Sequence, residues 1–258
     1  MESRTLQLVL QYDGARFAGW QRQPDTRTVQ GVLEEAMERL CGSHVSVLGA
    51  GRTDAGVHAL GQSAGVTVPE RWMPSDLMRA LNAVLSKDVR VSQCHAMRPE
   101  FHARYSAVAR SYRYVVGTDA DAESPFRAPF ELAWRRPLDI RLLGEAAAFV
   151  LGDHCFRGFA VKGTAPETDD HRCIVREAAW TERDGGIAFG ITANRFLHHM
   201  VRFLVGTMLD VASGKRDLGV IPQLLESAEN REVSPPAPPH GLYLANVEYP
   251  RELYLAAA

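Results

Sequence analysis

Leu6, Leu8, Leu10 and Tyr12 alternate with Gln7, Val9, Gln11 and Asp13, a period of two that predicts a strand with one apolar face. After Thr28, a good N-cap, the pattern changes to Val29, Val32, Leu33, Ala36, Met37 and Leu40, the spacing of a helix that Gly42 can close. Val45 to Leu48 predicts a short strand running into a glycine-rich stretch. Gln62 to Val68 predicts another strand, ended by Pro69. A helix opening at Ser75 follows through Leu77, Leu81, Val84 and Leu85, and Val89 to Met97 reads as a fourth strand. The resulting order, β-α-β-β-α-β, is the split arrangement of a ferredoxin-like unit.

A second round follows. Tyr105 to Val116 predicts a long strand, with a short one near Glu131 to Trp134. Leu138 to Leu151 has helical spacing. Ile174 to Thr181 and Ile187 to Ala193 predict a hairpin about Asp184-Gly185-Gly186. Arg195 to Ser213 predicts a long helix capped by Asn194, Pro222 to Ala228 a short helix, and Leu242 to Tyr249 a last strand. The chain thus divides into an N-terminal half, 1–103, and a C-terminal half, 104–258. The two share an order of elements but no visible sequence repeat. Val161 to His171 and Ser234 to Pro239 read as loops, either connectors or mobile covers.

With 258 residues, 46% of them hydrophobic, the chain can bury a full core or two modest ones. No segment approaches the roughly 18 consecutive apolar residues of a membrane span. The start, Met1-Glu-Ser-Arg-Thr, lacks a signal peptide's apolar stretch, so a cytoplasmic protein is expected. Cys41, Cys94, Cys155 and Cys173 are far apart and lack zinc-ligand spacing, which predicts reduced structural thiols. A net charge of −2 argues against a globally basic nucleic-acid binder, though not against a local basic cleft. Only Lys87, Lys162 and Lys215 are lysines among 29 basic residues. Arginine suits bidentate phosphate contact, although codon bias would give the same usage.

The run Gly49-Ala-Gly-Arg52-Thr-Asp54-Ala-Gly56-Val-His58-Ala-Leu-Gly61-Gln62 sets one carboxylate among small residues. Glycine allows tight turns and close approach. Arg52, two positions away, favours an ionised Asp54 and can hold it by a charge-assisted hydrogen bond. Such a carboxylate can be a nucleophile, a general base or a metal ligand. His58 and Gln62, at the end of the run, are candidate substrate contacts. Trp20 and Arg22, in Gly19-Trp20-Gln21-Arg22-Gln23-Pro24, suit stacking and phosphate contact. In the strand after Phe101-His102-Ala103-Arg104, Tyr112 and Tyr114 share a face and Ser111 and Arg113 the other, with Arg104, Ser106 and Arg110 extending the polar rows. Tyr112 is placed to stack on a ring. On the long helix His198, Arg202 and Gly206 form a stripe at i, i+4, and the adjacent His198 and His199 diverge by about 100°, which disfavours one shared metal. A buried Arg202 needs an anionic partner, and Asp54 is the candidate. Leu242, opening the last strand, can wall a site.

Two other classes compete with an enzyme acting through Asp54. A non-catalytic RNA-binding module would use Trp20, Arg22 and the Tyr112 strand as a stacking platform. A metal-dependent phosphohydrolase would use Asp54 with His58, but no second ligand sits at suitable spacing on the same element.

Gly51-Arg52-Thr53-Asp54-Ala55-Gly56-Val57-His58-Ala59 resembles the signature of the tRNA pseudouridine synthase A family. So do Tyr12-Asp13-Gly14 with Phe17-Ala18-Gly19-Trp20-Gln21-Arg22-Gln23, then Phe101-His102-Ala103-Arg104, Tyr112-Arg113-Tyr114, His198-His199-Met200-Val201-Arg202 and Gly241-Leu242-Tyr243-Leu244. The motifs stand in the family's order over almost the whole chain. Ser111 departs from a commonly basic position, and the 162–171 loop has its own composition. The resemblance implies an α+β fold of two ferredoxin-like halves in one continuous, mainly antiparallel sheet, with helices on one face and a central RNA-binding cleft. It implies isomerisation of uridine to pseudouridine at positions 38, 39 and 40 of the tRNA anticodon stem-loop by a homodimer, without cofactor or metal. It makes Asp54 the catalytic aspartate, Arg202 its partner, and Tyr112 the residue stacking on the target base, with Arg52 near the flipped nucleotide.

Overall fold

The structure, a computed structural model, describes residues 2–164, 168–227 and 229–255. Its elements run β1 (Ser3–Tyr12), α1 (Val29–Cys41), β2 (Leu48–Gly49), β3 (His58–Pro69), α2 (Pro74–Val84), β4 (Val89–Met97), β5 (Ala109–Gly117), β6 (Leu132–Ala133), α3 (Ile140–Ala148), β7 (Gly152–Cys155), β8 (Arg172–Arg183), β9 (Gly186–Ala193), α4 (Met200–Ala212), α5 (Val220–Glu226) and β10 (Leu242–Glu248). This is an α+β protein whose strands pair mainly antiparallel, as expected. The chain forms two compact units, one from Met1–Val108 with Tyr243–Ala258 and one from Ala109–Leu242. No helix among the described residues is long and apolar enough to cross a membrane.

In the first unit the strand order is β4-β1-β3, with β2 antiparallel and β10 parallel to β3. The predicted β-α-β-β-α-β order is present. The alternation in β1 does what its period requires: Leu6, Leu8, Leu10 and Tyr12 are buried with Val29, Leu33 and Met37 of α1 and Leu77 and Leu81 of α2. Thr28 caps α1, its hydroxyl accepting from the Gly31 amide at 3.2 Å, and Gly42 ends it in the left-handed region at φ 76°. The β1–β3 register shifts between Leu10, opposite Gln62, and Tyr12, opposite Ala59. The extra residue lies in β3, beside Gly61, where a Cβ would come 2.4 Å from the Ala245 carbonyl oxygen of β10. A bulge there re-aims the start of β3, the end that carries the glycine-rich run.

In the second unit the order is β5-β9-β8-β7, all antiparallel, with β6 parallel to β5. The β8–β9 hairpin turns through Asp184-Gly185, with Gly185 at φ 73°. Buried Tyr114, Phe156, Phe159, Phe189, Leu143, Leu204 and Met208 make up much of its core.

Several boundaries differ from those predicted. β3 starts at His58 rather than Gln62, and β2 is two residues long. α2 begins at Pro74 rather than Ser75, since a missing N–H costs nothing at a first helical position. β5 begins at Ala109, because residues 101–106 form a turn. α4 begins at Met200, not Arg195. Asn194 is therefore not its cap: its Oδ1 accepts from the amides of Ile174 in β8 and of Arg195, at 2.9 and 2.8 Å, and caps no helix. The chain then enters α4 through His199 at φ 60°. The stripe of His198 with Arg202 on one helix therefore does not exist, nor does the helical divergence of the two histidines; their rings lie 4.1 Å apart. α3 is shorter than predicted. α5 ends at Glu226, and Ala228, the predicted end, lies outside the described residues.

Candidate active site

Asp54 opens a four-residue turn in the first unit. The Val57 amide donates to the Asp54 carbonyl oxygen at 3.1 Å, and Gly56 takes φ 78° at the third position, where a type II turn demands a left-handed residue. The side chain of Asp54 is half-buried, and those beside it, Ala55 and Gly56, are small.

The backbone around this turn is held at five points. Trp20 N–H donates to Thr53 O at 3.0 Å. Tyr12 Oη and Thr53 Oγ1 share a buried hydrogen bond of 2.8 Å. Gly14 N–H donates to His58 Nδ1 at 3.0 Å. Gln62 Nε2 donates to Gly51 O at 2.9 Å, and Ala50 N–H to Ser63 O at 2.8 Å. Two glycines let backbone meet backbone: a Cβ on Gly14 would lie 2.1 Å from Val57 O, and one on Gly19 (φ 99°) 2.8 Å from Thr53 O. The carboxylate thus stands on an ordered platform, which a reacting group requires.

Several residues expected to touch substrate form part of that platform. Trp20 is 2% exposed, its indole lying where a Cβ on Gly49 would be. His58, 1% exposed, stacks on its cross-strand neighbour Tyr243 with ring centroids 4.9 Å apart. Gln62 is fully buried. These side chains touch protein and support the loop from within. Arg52 is exposed, and its Nε donates to Gln21 Oε1 at 3.0 Å rather than to the neighbouring carboxylate. Arg22 is exposed and pairs with buried Glu34 at 2.9 Å. Arg104 is exposed on the 101–106 turn.

In the second unit, Tyr112 projects from β5 half-buried, with Phe196 edge-on to its ring at 4.9 Å and 82°. Tyr114, two residues on and on the same face, is buried. Its hydroxyl donates to Pro238 O at 2.8 Å, and burial pushes its pKa up, with Arg202 opposing. Arg110 Nη1 donates to Asn194 O at 3.0 Å, and Ser111 shares a 2.9 Å bond with Thr192. Arg202, half-buried on α4, donates through Nε to Ala237 O at 2.8 Å, while Ala237 N–H donates to Arg202 O at 2.9 Å. A Cβ on Gly206, one turn on, would lie 2.2 Å from Pro235 O. The proline-rich 234–239 loop is therefore strapped to α4 and fixes the base of Arg202. His198 is exposed, and its carbonyl accepts from Val161 N–H at 3.2 Å. Leu242 is buried. Within the 161–171 loop, residues 165–167 lie outside the described ones. At its far end Arg195 pairs with Asp169 at 2.5 Å, which holds that carboxyl below its ordinary pKa.

Comparison with known proteins adds the family. The model of the family described as tRNA pseudouridine synthase matches residues 8–106 and 146–250. The chain belongs to this family. Proteins named tRNA pseudouridine synthase A are similar over nearly their whole length. The one from Frankia casuarinae is 40% identical over 257 residues, covering 98% of this chain and 92% of that one. The one from Methylococcus capsulatus is 39% identical over 253 residues (96% and 91%), and the one from Brachyspira hyodysenteriae 36% over 240 residues (92% and 95%). As a tRNA pseudouridine synthase the protein is an enzyme of the isomerase class. The structure also gives roles to Tyr12, Gly14, Gly19, Thr53 and Ala237. Reading by residue type passed over them, because they act through backbone contacts and a buried hydroxyl.

Proposed function

We propose that the protein isomerises uridine to pseudouridine at positions 38, 39 and 40 of the tRNA anticodon stem-loop, with Asp54 acting on the ribose of a flipped-out uridine. The observation that carries the reading is the Asp54 turn: a reachable carboxylate on a backbone held from all sides, in a chain of this family. In the reaction the C1′–N1 bond breaks and uracil turns. A C1′–C5 bond then forms, the C5 proton leaves to solvent and N1 regains a proton. Nothing is oxidised and no water is added, so no cofactor is invoked.

The sugar passes through an electron-poor state, as in glycoside chemistry. An ionised Asp54 can attack C1′ or remove a sugar proton to give a glycal. Uracil anion is a tolerable leaving group, so one carboxylate suffices. Arg202 is the group we assign to keep Asp54 ionised and oriented, and its anchoring to Ala237 supports that role. Flipping the base costs a few kcal/mol. Stacking on Tyr112, braced by Phe196, offsets roughly 1–3 kcal/mol of it. Excluding water while the uracil is detached protects the sugar from hydrolysis. The working form is a cytoplasmic homodimer with RNA lying across both subunits.

The test is to incubate the protein with an unmodified tRNA transcript carrying uridines at 38, 39 and 40 and to map pseudouridine. Modification confined to those positions supports the proposal. Modification elsewhere, or none, overturns it.

A further inference from the structure

The turn that precedes β5 is built more firmly than a connector needs. Phe101 and Ala103 point inward: Phe101 packs edge-on to Tyr249 at 5.0 Å, and Tyr249 Oη donates to Ala103 O at 2.6 Å. Both lie against Gly65 of β3, where a Cβ would come within 3.3 Å of Phe101 and 3.6 Å of Ala103. His102 Nδ1 accepts from two backbone amides, Arg104 at 3.1 Å and Tyr105 at 3.2 Å. Ser106 closes the turn twice, its Oγ accepting from His102 N–H at 3.0 Å and its amide donating to His102 O at 2.9 Å.

This scaffold holds Tyr105 out, 78% exposed, with the His102 ring behind it at 4.4 Å and the Arg104 guanidinium 5.8 Å from its centroid. An aromatic ring kept in water on a rigid turn, beside a cation, has the composition of a nucleotide contact: the ring stacks on a base and the guanidinium meets a phosphate. The stretch of β3 beneath it, Gln62 to Gly65, also pairs with β2 and, through Gln62, holds the Asp54 loop. A contact here would therefore brace RNA on the same strand that holds the Asp54 loop. Direct readout of a base pair from this turn is disfavoured, since a single ring on a turn stacks only on a base free of its helix.

The geometry points to Tyr105 as a second stacking platform, one that takes an unpaired nucleotide of the substrate loop other than the target uridine, with Arg104 on its phosphate. This rests on the tRNA reading above. Tyr105 is a positioning residue, because it meets the RNA away from the reacting atoms.

The test compares Tyr105→Ala, Tyr105→Phe and the unaltered protein in binding a tRNA transcript and a fully paired RNA duplex. Tyr105→Ala weakens tRNA binding about tenfold, which is about 1.4 kcal/mol. Tyr105→Phe, which keeps the ring, stays within about twofold, and duplex binding is the same for all three. KM rises with little change in kcat. Thermal unfolding is unchanged, as expected of an exposed side chain. Unaltered tRNA binding by Tyr105→Ala, equal loss in Tyr105→Phe, or equal loss on the duplex would each overturn the inference. Wild-type protein that binds tRNA through Tyr105 but makes no pseudouridine would instead overturn the proposed reaction.

Discussion

Gly14→Ala tests the claim that backbone contact positions the catalytic turn. The added Cβ would stand 2.1 Å from Val57 O and 2.4 Å from Val57 C. Ordinary contact begins at 3.4 Å, so the two segments must part by about 1.3 Å (3.4 − 2.1). No flexible side chain can absorb this, because the obstacle is backbone. Val57 is bonded to Asp54 O across the turn, and Gly14 N–H to His58, so the strain reaches the carboxylate in one step. Overpacking of this kind costs roughly 1–3 kcal/mol, a fall in Tm on the order of 2–10 °C for a protein of this size. A misplacement of about 1 Å costs on the order of 100-fold in rate. Tritium release from 5-tritiated uridine in tRNA, under single turnover and well below Tm, reads the rate. Gly51→Ala is the stability control: it lies in the same run, with no atom within 4 Å of its Cβ position and no left-handed φ. It leaves Tm unchanged. Normal rate and normal Tm in Gly14→Ala would refute the reasoning.

Further outcomes follow from charge and burial. Arg27 binds Asp88 through two nitrogens, at 2.8 and 2.9 Å, and holds its carboxyl at about 2. A depressed folded-state pKa stabilises above the ordinary value of 3.8 and is lost as pH falls toward 2. Asp88→Asn therefore flattens the acid limb of stability between about pH 4 and pH 2, as read by thermal melts across that range; an unchanged limb contradicts the pairing. Burial pushes the thiols of Cys94 and Cys173 up to about 12. Both should resist a disulfide reagent at pH 8 in the folded protein and react once it is unfolded, so mass mapping that finds either labelled first counts against the packing. Arg202→Ala should lower the single-turnover rate by at least an order of magnitude with tRNA binding retained, and a near-normal rate removes Arg202 from its assigned role.

Much of the first unit was legible because period and punctuation agree there. Leu6 to Tyr12 alternate cleanly, Thr28 and Gly42 bound α1, and β4 runs from Val89 to Met97 as the spacing predicts. The Asp54 run was legible as chemistry, since a carboxylate among glycines has little packing purpose. Local patterns failed where a side chain bonded backbone distant in sequence or out of step with the period. Phe196, Met200 and Leu204 have helical spacing, yet Asn194 bonds Ile174 of β8, and the helix starts at Met200 rather than Arg195. Tyr105 continues the alternation of β5, but His102 captures two amides that a strand would need elsewhere. β7, Gly-Asp-His-Cys, has no apolar alternation and exists because β8 offers it a ladder. Burial of Trp20, His58 and Gln62 was not legible either, because residue type suggests contact with RNA while the fold turns them inward.

Asp54→Asn is the most direct measurement. It keeps the size of the side chain and the Val57-to-Asp54 backbone bond while removing the charge. Tritium release from 5-tritiated uridine in tRNA should fall to background, with tRNA affinity within a few-fold of the unaltered protein. Release at the normal rate by this variant would contradict the assignment of Asp54 to the reaction.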